Sequence, residues 1–190
     1  ENASEGTDTV YLSAATYNFT SVSIENIYLT GSAVSIVANS LANKVTGNGG
    51  NNSVDAGDGN DSIDGGAGND TYVFGLNSGR DTINNNDATG NDKLLLDAGI
   101  SADQIWLRQL GNDLEVSIVG TANRARVQNW YTGTANQLDS LQLADGKILL
   151  ANEVQTLVDA MAAFAPPALG QTSLTAAQHR ALDSVIMASW

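Results

Sequence analysis

The 190-residue chain has no cysteine, one histidine and two prolines, and it carries eight Lys and Arg against 21 Asp and Glu. Without cysteine, disulfides and thiolate metal sites are excluded. Such a chain also suits passage across membranes unfolded, because nothing needs oxidising on arrival. A formal charge of −13 repels nucleic acid and anionic membranes and draws in divalent cations. No apolar run approaches the roughly 20 residues of a bilayer span, so no transmembrane segment is expected. There is neither an initiator Met nor a basic-then-apolar signal peptide. The chain opens mid-pattern at Glu1-Asn2-Ala3-Ser4-Glu5-Gly6, as expected of a piece of a longer protein. With His179 alone and no thiol, serine-triad, cysteine-protease and common zinc sites have little support.

What the chain does have is glycine and aspartate in phase. From Gly47 to Val73 it reads GNGGNNSVD, AGDGNDSID, GGAGNDTYV in successive nines. Large apolar residues recur at the same interval: Ile27, Ile36, Val45, Val54, Ile63 and Tyr72 are each nine apart. A coiled backbone needs this pattern if each short strand is to drop one side chain into a shared interior. The coil is therefore expected to begin before its glycines become visible, with a β-branched lead-in over residues 1–37. After Val73 the interval stretches. Gly79-Arg80-Asp81-Thr82-Ile83 and Gly90-Asn91-Asp92-Lys93-Leu94 keep the pattern, but each aspartate follows the last by eleven residues.

Residues 97–150 read as a β-rich cap. Leu114, Val116 and Ile118 alternate with polar residues, Arg126–Tyr131 and Asp139–Leu143 are expected strands, and Gly111-Asn112-Asp113 and Ala144-Asp145-Gly146-Lys147 are expected turns. Residues 151–190 look helical. Asn152 with Gln155 is an expected cap for a first helix, Pro166-Pro167 its expected stop, and a second amphipathic segment runs from about Thr175 to Ser189.

If two nonapeptides make one turn of the coil, residues 18 apart share an edge. Asn43 then lies over Asp61 and Asn52 over Asp70; through the stretched repeats, Asp61 lies near Asp81 and Asp70 near Asp92. Glycine turns let carbonyls converge, and the aspartate adds a hard anionic oxygen to the same point. Calcium takes about six to eight oxygens, many of them carbonyls, which two stacked turns supply and one does not. The candidate metal-ligating residues are Asn52, Gly57, Gly59, Asp61, Gly65, Gly66, Gly68, Asp70, Asp81 and Asp92. Between positions 55 and 97 there are nine aspartates (55, 58, 61, 64, 70, 81, 87, 92, 97) against only Arg80 and Lys93. A self-repelling, glycine-rich segment is expected to stay unfolded until several Ca2+ ions offset the repulsion, so that binding energy becomes folding energy. Composition alone would also allow a disordered Gly/Asp/Asn linker; the fixed phase of glycine, aspartate and apolar rung argues against it.

The unit Gly65-Gly66-Ala67-Gly68-Asn69-Asp70-Thr71-Tyr72-Val73 fits G-G-x-G-x-D-x-U-x, with U a large apolar residue, at every specified position, and so resembles the RTX nonapeptide. The chain is similar to the C-terminal regions of large RTX exoproteins of Gram-negative bacteria. That resemblance implies a mainly β fold: a right-handed parallel β-roll that binds calcium over residues 38–96, a small post-repeat β cap over 97–150, and C-terminal α-helices over 151–190. It implies a secreted or cell-surface protein, exported by a type I secretion machinery that reads an uncleaved C-terminal signal. The tail match rests on Ala162–Pro167, the last helix and Trp190.

No catalytic constellation is present, and the module is expected to have no enzymatic activity of its own. Trp106, Trp130 and Tyr131 are more readily core residues of the cap than a sugar-stacking surface. Arg124 and Arg126 are more readily a solvated strand edge than an anion grip. The alternative to a calcium-driven folding and secretion module is an adhesion module that binds cell-surface glycan or lipopolysaccharide, with calcium as a structural bridge.

Overall fold

The computed structural model describes residues 6–13, 15–31 and 34–190; residues 1–5, 14, 32 and 33 of the expected lead-in lie outside that range. Short strands alternate between two sheets. One face is built from β1 (Thr9–Leu12), β3 (Asn26–Leu29), β5 (Lys44–Asn48), β7 (Ser62–Gly66) and β9 (Arg80–Asn84). The facing sheet uses β2 (Ala15–Asn18), β4 (Val34–Val37), β6 (Ser53–Asp55), β8 (Thr71–Phe74) and β10 (Lys93–Leu96). Every neighbouring pair within these two sets is parallel. The chain therefore winds as a parallel β-roll, each strand pairing with the next-but-one.

The nine-residue ladder is the core. Val10, Ile27, Val45, Ile63 and Ile83 face one another across one sheet. Tyr17, Ile36, Val54, Tyr72 and Leu94 do the same across the other. From Ile27 onward none of these rungs is more than 2% exposed. The register is 18 residues from Lys44 to Ser62 and 18 from Ser53 to Thr71, then 20 from Ser62 to Thr82 and 22 from Thr71 to Lys93. The extra residues bulge into the turns, and the rungs stay aligned.

The sheets continue past residue 97. The hairpin β11 (Ile105–Leu110) and β12 (Asp113–Ile118) leads into β13 (Arg124–Val127), which lies parallel to β9 and places Val127 against Ile83. Strand β14 (Ser140–Leu143) lies parallel to β10 with Leu141 against Leu94, and β15 (Ile148–Leu150) closes that sheet antiparallel. The cap region thus adds one further rung to each column before it closes them.

Three local expectations are corrected. The strand expected over 126–131 ends at Val127. Asn129 turns the chain at φ 56, its N–H donates to Asp113 Oδ1 (2.7 Å), and Trp130–Thr132 forms a 3-10 turn. Helix α1 (Ala151–Met161) starts directly from β15 with Leu150 at its N-cap, so Asn152 does not cap it. It also ends at Met161, before Pro166 is reached, with the Ala162 N–H still donating to Val158 O (2.9 Å). Helix α2 (Ala176–Ser189) has the expected start, where the Gln178 N–H donates to Thr175 Oγ1 and the Thr175 N–H to Gln178 Oε1.

Both helices belong to the body of the protein. Val154, Leu157, Val158 and Met161 of α1 are buried with Leu174, Leu182 and Ile186. The Leu107 N–H on the outer strand β11 points at Met161 Sδ (3.2 Å). Gly120 and Gln171 pack backbone to backbone with no space for a side chain at Gly120, and the Gly170 N–H donates to Gly120 O (2.7 Å).

Candidate metal centre

The turns that join the two sheets stack along two edges of the roll. On the first edge lie Asn43, Asp61 and Asp81, with Gly57, Gly59 and Gly79. On the second lie Asn52, Asp70 and Asp92, with Gly65, Gly66, Gly68 and Gly90. The close stacking explains the glycines. A methyl group at Gly59 would meet Leu41 O, one at Gly79 would meet Gly59 O, and one at Gly90 would meet Gly68 O. Gly66 (φ 91) and Gly68 (φ 113) also need a backbone that L side chains rarely adopt.

Along each edge the acidic side chains form a ladder. The Asn43 N–H donates to Asp61 Oδ1 (2.7 Å) and the Asp61 N–H to Asp81 Oδ1 (3.2 Å). On the other edge the Asn52 N–H donates to Asp70 Oδ1 (2.8 Å) and the Asp70 N–H to Asp92 Oδ1 (2.8 Å). Every pair expected from the 18-residue offset and its extension is therefore in contact. The sequence-predicted residues divide between two edges: Gly57, Gly59, Asp61 and Asp81 on one; Asn52, Gly65, Gly66, Gly68, Asp70 and Asp92 on the other.

These carboxylates are buried with hydrogen bonds but no countercharge among the described residues. Asp61, Asp70, Asp81 and Asp92 are 1–4% exposed, and none takes part in an ion pair among the described residues. One oxygen of each of two carboxylates, Asp61 Oδ2 and Asp70 Oδ2, is buried with no hydrogen-bond donor, and so is Asn43 Oδ1. A buried anionic oxygen without a partner is costly. Desolvation, opposed in part by the Asn52 N–H and reinforced by Asp92, raises the Asp70 carboxyl to about 6. Desolvation lifts both Asp61 and Asp81 well above the usual carboxylate range, and repulsion adds to it, from Asp61 at Asp81 and from Asp55 and Asp58 at Asp61. Asp92 is raised by burial as well. A divalent cation held by oxygen ligands would partner the orphaned oxygens and relieve the repulsion.

No point among the described residues gathers three His, Cys, Asp or Glu side chains. A cation here would depend on carbonyls from stacked turns with one or two carboxylates, which is the oxygen-rich chemistry calcium takes. Soft-metal or zinc coordination has no donor set on these edges.

Three residues near the second edge are not among the candidates that the repeat spacing supplies. Asn85, 1% exposed, accepts from the Tyr72 hydroxyl (3.1 Å) and donates to Gln137 O (3.0 Å). Asp87 Oδ2 accepts from the Gly68 N–H (3.0 Å). Asp139 Oδ2 accepts from the Asp92 N–H (2.8 Å). The spacing Asp139-Ser140-Leu141 repeats the aspartate-to-rung interval, the one signal that could have revealed it.

Of the aromatic candidates of the cap, Tyr131 is half-buried and the two tryptophans are interior. Trp106 and Trp130 are each 2% exposed, and neither offers a face to a sugar. Arg126 pairs with Asp113, and Arg108 donates to Glu115 Oε1 (2.7 Å) with Arg124 3.9 Å from the same carboxylate. These are cross-strand ion pairs. His179 Nδ1 lies 2.8 Å from Asp183 Oδ1 on the same helix. No helix among the described residues is long and apolar enough to cross a membrane.

Stacked glycine turns that end in buried aspartates, wound on a parallel β-roll, define a calcium-binding repeat solenoid. Residues 37–75 match the family model of the RTX calcium-binding nonapeptide repeat (4 copies), and residues 113–153 match that of the haemolysin-type calcium binding protein related domain. The chain thus carries RTX haemolysin-type calcium-binding repeats followed by their related domain. It is 37% identical over 93 residues to the iron-regulated protein FrpA of Neisseria meningitidis serogroup C, a match that covers 46% of this chain and 8% of that protein.

Proposed function

We propose that this chain is a calcium-driven folding module whose metal sites lie between successive turns on the two edges of the roll. On the first edge Asp61 and Asp81 hold the ion with carbonyls around Gly57 and Gly59. On the second, Asp70 and Asp92 do so with carbonyls around Gly65, Gly66 and Gly68. Asn52 closes the N-terminal side of that edge without a charge, as Asn43 does on the first edge, so those positions bind more weakly. The observation that carries this reading is the pair of buried, unpartnered oxygens Asp61 Oδ2 and Asp70 Oδ2, on carboxylates that enter no ion pair among the described residues. When bound, calcium supplies positive charge and a coordination shell. The chain's own residues supply the oxygens, the tight turns and the apolar rungs.

Extracellular calcium modules bind with dissociation constants of about 10⁻⁴–10⁻³ M, so this segment is proposed to be loose in cytosol and folded outside the cell. The helical region 151–190 is proposed to carry the signal for type I export. No activity of its own is assigned to the module, and the activity of a longer parent protein lies elsewhere in that protein.

Calcium titration followed by far-UV circular dichroism should show a coil-to-β transition in the sub-millimolar to millimolar range. Asp61→Ala and Asp70→Ala should each raise the midpoint, while Asp183→Ala should leave it unchanged. An undiminished β spectrum in excess chelator would refute calcium-driven folding. Loss of export on deletion of residues 151–190 is expected, and normal secretion of that truncation would refute the tail assignment.

A further inference from the structure

The two aspartate ladders end differently. On the first edge, β13 lies beside β9 and brings Ala125 opposite Asp81; the ladder stops with no carboxylate beyond it. On the second edge, β14 lies beside β10 and brings Asp139 opposite Asp92, one residue before the paired Lys93 and Ser140. Asp139 then does to Asp92 what Asp92 does to Asp70 and Asp70 does to Asn52, each carboxylate accepting the earlier residue's N–H at 2.8 Å.

Asp139 holds more than that one atom. Its own N–H donates back to Asp92 O (2.8 Å), so the two residues bracket each other across 47 positions of sequence. Its carbonyl accepts the N–H of Ala151 (3.0 Å), the first residue of α1. Two residues earlier, Gln137 O accepts from Asn85, whose oxygen takes the Tyr72 hydroxyl. Segment 137–139 is therefore a clasp that fixes the long turn 85–92 from its far side and ties it to the first helix.

We infer that Asp139, which lies outside the nonapeptides, is the positioning residue for Asp92, and that through it the calcium affinity of the last turn on this edge depends on the folded state of the C-terminal region. This rests on the calcium reading given above. The role is carried by the hydrogen bond that Asp139 accepts and not by its charge. Asp139 is itself exposed and Asp92 buried, which places Asp139 on the outer side of Asp92.

The test is calcium titration of the full chain, wild type and variants, followed by far-UV circular dichroism for the roll and by Trp fluorescence for the cap. In Asp139→Asn the side-chain oxygen still accepts the Asp92 N–H; in Asp139→Ala nothing does. Asp139→Ala should raise the calcium midpoint up to about tenfold, the equivalent of one ordinary hydrogen bond. It should also separate the roll and cap transitions, while Asp139→Asn keeps the wild-type midpoint and a single transition. Asp145→Ala, in the exposed turn that follows β14, serves as the control and should match wild type. An unchanged midpoint in Asp139→Ala overturns the inference. So does an Asp139→Asn chain as impaired as Asp139→Ala, since charge rather than the hydrogen bond would then be at work. A variant that fails to fold its cap shows no Trp signal change even at saturating calcium, and rescue of that signal in Asp139→Asn still supports positioning whereas its absence overturns it. A wild-type chain without any calcium transition would remove the calcium reading itself, an outcome separate from any difference between variants.

Discussion

At Asp70 a carboxylate is buried at 1% exposure with one oxygen satisfied by a backbone N–H and the other by nothing. Its folded-state value is raised from 3.8 to about 6, and the direction is the same for the Asp61–Asp81 pair. For an acid raised on folding, the folded chain holds protons that the unfolded chain has lost, so its contribution to stability is fully present below the unfolded value and disappears as pH rises through the folded one. The metal-free chain should therefore hold more β structure near pH 5 than near pH 8, and far-UV circular dichroism in chelator at the two values checks this. Calcium reverses the preference, because it needs the ionised carboxylates. Where low pH leaves the metal-free roll folded, near pH 5, binding should release protons, measurable as a dependence of calorimetric heat on the buffer's ionisation enthalpy. Asp70→Asn removes both effects at that position: it should reduce the proton release while making the metal-free chain less sensitive to pH.

Each turn is held by what its glycines leave out. Gly79 sits against the carbonyl of Gly59, whereas nothing lies within 4 Å of where a side chain would emerge from Gly49, and its φ is not in the left-handed region. Gly79→Ala should lower the stability of the calcium-loaded roll by about 3 kcal/mol or more. Gly49→Ala should leave the thermal midpoint nearly unchanged, and calorimetry on the two variants distinguishes them. At this scale much was legible in the sequence. Rungs from Ile27 to Tyr72 could be placed because a fixed interval forces a fixed phase, and the contacts of Asp61 with Asp81 and Asp70 with Asp92 followed from adding the extra residues. Strands β13 and β14 were read as strands or parts of strands, but not as further rungs. They return to the roll 44 residues after Arg80 and 47 after Lys93, and no glycine turn precedes Asp139 to announce it. Asn85 was hidden for a related reason: its place in an enlarged turn follows from the three-dimensional path, not from a period.

Taken whole, the molecule has one core from roll to tail. The apolar face of α1 and Leu174, Leu182 and Ile186 join the interior that also contains Trp106, Leu107 and Trp130. A chain ending at Leu150 should therefore bind an apolar dye that the full chain excludes, and unfold at lower temperature, even with calcium saturating. The docking of the tail could not be read from sequence, since an amphipathic helix announces a buried face without naming what covers it. The register carries a further consequence, for how such a gene can change length. Eighteen residues return the chain to the same edge, whereas nine carry it to the opposite one. Excising residues 53–70 would join Asn52 to Thr71 and leave each remaining strand in its own sheet. Excising only 53–61 would swap the sheet of every later strand of the roll and part Asp92 from Asp139. Insertions and deletions in this chain are thus quantised: whole coils are the unit in which the molecule can be edited and still close.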